Sequence, residues 1–271
     1  MEAENRQQPR YRLGVALTGG GARGFAHAGA LAAIEEAGHK PEILAGVSAG
    51  SIAATLYSSG MSPQQMLELF SEQSLSKLID FRPRGGGFFS MAPFKKFLTK
   101  QLGEYKNLED LPLPTYIGVT DFTNGVATEF HEGPIAERVV ASCSIPITFP
   151  PVTINGTEYV DGGVLRNHPA WIIRDKCDYL IGINVSPLAT KKKSDSIWTV
   201  AMRTYNLMAK ANQRKDMALC DLNIAPVEIA HYGSFDMRYI NNVYMSGYVN
   251  ARKALRDAGL WQQALPAAKL P

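Results

Sequence analysis

Apolar positions change period twice within the first fifty residues. Arg12 to Thr18 is a short, mostly apolar run of strand length. Phe25, Ala28, Leu31, Ala32 and Ile34 then recur at helical spacing, and Gly38 closes that pattern as a C-terminal cap. Pro41 opens a second compact apolar run, Ile43 to Val47. Strand, helix, strand is the grammar of a parallel sheet, whose functional loops lie beyond the carboxyl ends of the strands.

The rest of the chain continues the alternation. Ser62-Pro63 starts a helix with an apolar face of Met66, Leu67, Leu69 and Phe70. Arg84 to Phe89, with three consecutive glycines, is expected to be a flexible loop before a helix over 93–102. Strands over 114–120 and 126–131 are joined at Thr123-Asn124-Gly125 as a hairpin. A helix over 135–143 is stopped by Ser144-Ile145-Pro146 and Phe149-Pro150-Pro151. A second hairpin turns at Asn155-Gly156 and delivers Asp161-Gly162-Gly163 at a strand end. Helix over 169–175, strand over 179–185, long helix over 196–219, strand over 222–229 and helix over 239–258 complete the expectation. Neither repeats nor a linker divide the chain. It reads as a disordered segment 1–10, a single α/β domain 11–260 and a frayed tail 261–271.

Composition narrows the class without naming it. The 271 residues are 45% hydrophobic and 20% charged, which suits a globular protein with a sizeable core. A net charge of +3, with no basic stripe and interleaved aromatics, argues against nucleic acid as a partner. Cys143, Cys177 and Cys220 are scattered and lack metal-ligand spacing, so reduced thiols are expected. The polar stretch Met1 to Arg10 has no signal-peptide core, and no run of eighteen apolar residues occurs. Both point to a cytoplasmic protein; Asn155-Gly156-Thr157 then reads as a turn rather than a glycosylation site.

Chemistry enters at the two turns of the opening unit. Gly46-Val47-Ser48-Ala49-Gly50 follows a strand and precedes a small-residue helix, the context in which a Gly-x-Ser-x-Gly match is meaningful. A serine at so sharp a turn is strained, and Gly46 and Gly50 remove side chains that would collide across it. Gly19-Gly20-Gly21-Ala22-Arg23-Gly24 offers bare backbone amides at a helix start, an anion-binding surface one strand away. Gly24 is followed by Phe25-Ala26, so the Lys and Ser/Thr of a nucleotide phosphate loop are missing.

The base is more open. His168 and His231 follow Asp161, so a Ser-Asp-His order is formally available, but one opens a helix and the other lies in a polar loop. His27 lies in the helix after the glycine loop. Asp161, with Gly162 and Gly163 behind it, could itself accept the serine proton if it came within hydrogen-bond reach; on its own the motif also fits an ordinary strand-ending turn.

Taken in order, Gly19 to Gly24, Gly46 to Gly50 and Asp161-Gly162-Gly163 resemble the oxyanion loop, nucleophile elbow and Asp-Gly-Gly of patatin-like phospholipases. Ala141-Ser142, Pro146 and Phe149-Pro150-Pro151 resemble the loop before that aspartate, and the similarity covers roughly residues 12–185. The resemblance implies a three-layer α/β/α sandwich with a mainly parallel sheet. It implies ester hydrolysis on lipids, Ser48 as nucleophile, Asp161 as base, no catalytic histidine and no metal cofactor. Gly19 to Gly24 would line the oxyanion hole, while the Arg23 side chain could be structural or pair with phosphate. Acyl transfer on the same site, or a non-catalytic regulator keeping the fold, are the alternatives. Gly87 to Met91 reads either as a membrane-touching flap or as a loop folded onto the core. Lys191-Lys192-Lys193 reads either as an attraction for anionic lipid or as solvated charge.

Overall fold

The computed structural model describes residues 11–71, 73–188, 190 and 196–266. The expected disorder of residues 1–10, the Lys191 to Lys193 run and the end of the tail lie outside the described residues. In chain order the elements are β1 (Tyr11–Leu17), α1 (Phe25–Glu36), β2 (Ile43–Val47), α2 (Ala49–Ser58), α3 (Pro63–Ser71), α4 (Leu75–Leu78), β3 (Asp80–Arg84), β4 (Gly87–Ser90) and α5 (Ala92–Gln101). They continue with β5 (Thr115–Asp121), β6 (Val126–Phe130), α6 (Ile135–Ser142), β7 (Val152–Ile154), β8 (Thr157–Asp161), α7 (Ala170–Ile173), β9 (Cys177–Ile183), α8 (Ile197–Asn212), α9 (Arg214–Met217), β10 (Leu222–Ile224) and α10 (Ile240–Asp257).

One eight-stranded sheet organises these elements, in the order β10-β9-β1-β2-β5-β8-β7, with β6 also on β5. The half from β10 to β5 is parallel, and the pairings of β5 with β6 and β8, and of β7 with β8, are antiparallel. Alternation along each strand feeds two helical layers. Leu13, Val15 and Leu17 of β1 and Leu44 of β2 join the large core beneath α1. Ala16, Ile43 and Ala45 point to the other face, where Ala170, Ile172 and Ile173 of α7 cover them. Helices flank both faces, as a three-layer α/β/α sandwich requires.

β8 shares one edge of β5 with β2. Thr115 to Gly118 pair with β2, and Val119 to Asp121 pair with β8 running the other way. The two strands therefore meet end to end along a single neighbour.

Several expectations need correcting. Arg84 to Phe89 is not a loop: Gly85 and Gly86 take φ of 62° and 87°, and this turn joins β3 and β4 as an antiparallel ribbon off the main sheet. The helix expected over 196–219 breaks at Gln213, where Asn212 turns its side chain inward to the carbonyls of Gly163 and Val164. The strand expected over 222–229 ends at Ile224, because Pro226 has no N–H to continue a ladder, and Val227–His231 winds into a 3-10 turn. The helix expected over 169–175 stops at Ile173 and tightens into a 3-10 turn. The first residues of the expected frayed tail are held: Trp261 lies under Arg252 and Arg256, and the Gln262 amide donates to the Ala37 carbonyl at 3.0 Å.

α1 and α10 cross backbone to backbone. A Cβ on Gly247 would lie 2.0 Å from the Ala26 carbonyl oxygen, and one on Gly29 would lie 1.9 Å from that of Tyr244. Gly247→Ala is therefore expected to destabilise the fold by about 1–3 kcal/mol through overpacking. Lys253→Ala, which breaks only an exposed i,i+4 pair with Asp257, should stay within about 0.5 kcal/mol. Chemical denaturation of the two variants checks this, and equal stabilities would contradict the close crossing.

Candidate active site

The register on β5 brings the two predicted reactive side chains together. Val47 of β2 lies opposite Gly118, and Asp161 of β8 lies opposite Val119. Ser48, the next residue after β2, thus faces the end of β8 across one residue step of β5, about 3.3 Å. Gly162 completes the junction: a Cβ there would sit 2.7 Å from the Gly118 carbonyl oxygen and 3.1 Å from Val47 Cγ1.

Ser48 takes the strained backbone of an elbow, with φ 53° and ψ −121°. Such conformations in a non-glycine residue cost about 1–3 kcal/mol and persist only where the surroundings impose them. Here the glycines do. A Cβ on Gly46 would fall 2.2 Å from the Gly50 carbonyl oxygen, and one on Gly50 would fall 2.1 Å from that of Leu17. Ser142, which the sequence marks only as part of the loop before Asp161, supplies a stitch. Its hydroxyl donates to the Gly118 carbonyl at 2.7 Å and accepts the Ser48 amide at 2.8 Å, tying elbow to sheet.

Asp161 is fully buried. Its Oδ1 accepts the Gly163 amide at 2.8 Å, while Oδ2 is buried with no hydrogen-bond partner among the described residues. Burial pushes the carboxyl pKa up to about 6, and the Ser48 hydroxyl, the Gly163 amide and the Tyr205 hydroxyl draw it part of the way back. The result is a carboxylate that is ionised at neutral pH, with an open acceptor beside a serine hydroxyl.

The histidines do not enter this arrangement. His168 is buried, its Nε2 lies against Gly182 of β9, and burial lowers its pKa to about 3. His27 shares its Nε2 with the Thr18 carbonyl oxygen at 2.8 Å and is lowered to about 4. His231 is exposed and packs against the ring of Tyr232. Among the described residues no three His, Cys, Asp or Glu side chains converge as a metal set.

The glycine loop sits on the elbow: Cβ positions built on Gly19 and Gly24 would touch Ser48 Cβ at 3.1 Å and Ala49 Cβ at 2.7 Å. Its six residues are not equivalent. The Gly19 amide is bound to Asn167 Oδ1 at 3.2 Å and the Ala22 amide to the Ser234 carbonyl at 2.7 Å. Arg23 and Gly24 belong to the 3-10 turn Gly21–Gly24, whose amides bond three residues back. Among the described residues the amides of Gly20 and Gly21 have no backbone hydrogen-bond partner, and that of Ala49, the first residue of α2, has none within the helix. The sequence motif does not single out Ala49, although a donor directly after the nucleophile is a recurrent oxyanion device. The Arg23 side chain is structural. It donates to the carbonyls of Gly20 and Pro187 and to the Ser234 hydroxyl, pinning the loop.

Two chambers open on Ser48. One is apolar, has a volume of about 180 Å³, and runs between α1, α2, α3 and α5 past Phe25, Leu56, Met66, Phe70 and Phe94. The other is small and mixed in character, bordered by Gly19 to Gly21, Arg23, Tyr205 and Asn206 together with Leu188 and Met202.

Comparison with known proteins identifies the family and the fold. A family model described as patatin-like phospholipase matches residues 15–173. An uncharacterised Bacillus subtilis protein, YqhO, is 31% identical over 220 residues, covering 67% of this chain and 74% of that protein. The mouse patatin-like phospholipase domain-containing protein 6 is 29% identical over 229 residues, covering 79% of this chain but 17% of the mouse protein. In three dimensions VipD from Legionella pneumophila superposes with a TM-score of 0.57 at 16% identity, covering 92% of this chain and 67% of that one, a likeness of fold.

The Asp161 environment carries a stability prediction with a definite sign. Its folded pKa lies above the ordinary 3.8, so the folded state holds the proton more tightly and stability falls as pH rises from about 4 to about 6. Asp161→Asn removes that burden, which is about 3 kcal/mol at most. Thermal unfolding at pH 7–8 should find the variant as stable as wild type or more so; a clear loss would contradict a strained, charged carboxylate.

Proposed function

This chain belongs to the patatin-like phospholipase family, and we propose that it is a serine lipid acyl hydrolase working through a Ser48–Asp161 dyad. The observation that carries the reading is the open, buried Oδ2 of Asp161 beside the Ser48 elbow. In the first half-reaction Asp161 takes the Ser48 hydroxyl proton as Oγ bonds to the acyl carbonyl carbon. The oxygen that becomes negative is held by the free amides of Gly20, Gly21 and Ala49, a contribution of about 2.7–4 kcal/mol per donor in comparable sites. The C–O bond to the alcohol then breaks, and the alcohol leaves with the proton from Asp161. Water repeats the sequence: Asp161 accepts its proton as the water oxygen bonds to the acyl carbon, the acyl–Oγ bond breaks, Asp161 returns the proton to Ser48 Oγ, and the fatty acid departs.

The rim of the apolar chamber supports a lipid surface as the source of substrate. Phe149 and Phe235 line the chamber, and Phe89 and Trp198 connect them outward to Phe81 and Phe88 on the β3–β4 ribbon. Phe81 is 69% exposed, and Ile197 beside Trp198 is 85% exposed. Ile147 bridges to Gly87 at the same rim, with φ 70°, a costly conformation for a β-branched residue, and its side chain is exposed. Apolar side chains held outward around a cavity mouth suit peripheral contact with lipid. Among the described residues no helix is long and apolar enough to cross a membrane.

Three outcomes are expected. Ser48→Ala and Asp161→Asn each abolish release of fatty acid from phospholipid and lysophospholipid, while His168→Gln and His231→Gln retain most of the activity; collapse in either histidine variant would restore a triad. With a short-chain soluble ester, the wild-type rate falls as pH drops through about 6, because Asp161 must be ionised to accept the proton. Phe81→Ser with Ile197→Ser lowers turnover of lipid in vesicles at least several-fold and leaves the soluble ester unaffected; equal losses on both substrates would contradict the rim's role.

A further inference from the structure

We infer that Tyr205, on the inner face of α8, is a positioning residue for the base, its phenol holding the Asp161 carboxylate so that the open oxygen stays turned toward Ser48. This rests on the reading of Asp161 as base, but it concerns an element outside the matched family region, since α8 begins well after residue 173.

The helix presents two apolar faces. Trp198, Met202, Tyr205 and Ala209 recur at i, i+4, i+7 and i+11 and face inward, whereas Ile197, Val200, Leu207 and Met208 are exposed. Tyr205 carries a hydroxyl on the inner stripe, and it lines the smaller chamber with Ser48 and Arg23.

Gly163 shows how close the phenol comes. A Cβ on Gly163 would lie 2.3 Å from the Tyr205 hydroxyl and 3.1 Å from Asp161 Oδ1, so phenol and carboxylate crowd the same space beside a residue that must lack a side chain. Burial and the Asp161 charge push the phenol pKa well up, so the hydroxyl stays protonated and is available as a donor to the neighbouring carboxylate. The helix is anchored on the same turn, where Asn212 Nδ2 donates to the carbonyls of Gly163 and Val164 and Asn212 Oδ1 accepts the Asn167 amide. Because Oδ1 already accepts the Gly163 amide, a second donor on the carboxylate limits rotation about the Cβ–Cγ bond. A carboxylate held by the turn alone could swing Oδ2 away from Ser48.

The other titratable groups around Asp161 leave the phenol as the element that can be varied. Cys143, after α6, is a buried thiol pushed upward by burial and by Asp161, and so it is neutral. Arg23, on the glycine loop, is lowered to about 10 by burial and remains cationic, its charge acting on Tyr205. His27 and His168 are neutral above about pH 4.

Tyr205→Phe tests this, because it keeps the ring that packs and removes only the hydroxyl. With a soluble short-chain ester, kcat should fall about tenfold with KM within about twofold, the scale of one hydrogen bond to a charged group. The acid limb of the rate should move up by about one pH unit, since a donor to the carboxylate is lost. A readout independent of turnover is the stability difference between each protein and its Asp161→Asn partner, followed against pH. Its upper end, where Asp161 ionises in the folded state, should move up in the Tyr205→Phe background. An unchanged rate profile and an unchanged titration would reduce Tyr205 to packing and overturn the inference, even if hydrolysis depends on Ser48. If wild type turns over no ester, the hydrolase reading fails, and the stability titration still decides whether Tyr205 holds Asp161.

Discussion

Two strands that end against one neighbour bring Ser48 and Asp161 together. β2 runs up β5 and stops at Val47; β8 runs down the same edge and stops at Asp161. Residues more than a hundred positions apart thereby become adjacent, and the turn that succeeds each strand projects into the gap. A serine with a strained backbone stands at one turn and a desolvated carboxylate at the other. Neither is stable on its own terms: the serine carries conformational cost, and the carboxylate carries the cost of charge away from water. The sheet, the stitch at Ser142 and the absent side chains at Gly46, Gly50 and Gly162 supply the framework that holds both.

Burial of the carboxylate is useful as well as costly. An aspartate at its ordinary pKa is a weak proton acceptor for a serine hydroxyl. Desolvation raises its basicity toward the neutral range while leaving it ionised there, which is where a general base performs best. The same desolvation keeps His27 and His168 neutral and makes them poor bases. One physical cause thus suits Asp161 to the base role proposed for it and leaves the two buried imidazoles weak bases.

Much of this is legible in the chain before any coordinates. The β1–α1–β2 unit, the Asn155-Gly156 hairpin and the small-residue start of α2 follow from apolar period and turn chemistry, which are local. The remainder is set by tertiary partners. The glycines at 85–87 look like a flexible loop, yet their neighbours find each other across a tight turn and form β3 and β4. Six residues from Gly19 to Gly24 share one composition, but Asn167 and Ser234 occupy two of their amides, and only the folded chain shows which remain. Tyr205 carries no motif; it is one aromatic in a helical stripe until the packing of α8 places its hydroxyl beside Gly163.

The most direct test of the dyad is covalent labelling with a fluorophosphonate across pH, with the modified residue located by peptide mass mapping. Labelling confined to Ser48, with a rate that rises through about pH 6 and falls by about a hundredfold or more in Asp161→Asn, is the expected result. Labelling at another residue, or an Asp161→Asn protein that labels at the wild-type rate, would contradict a proton passing directly from serine to carboxylate.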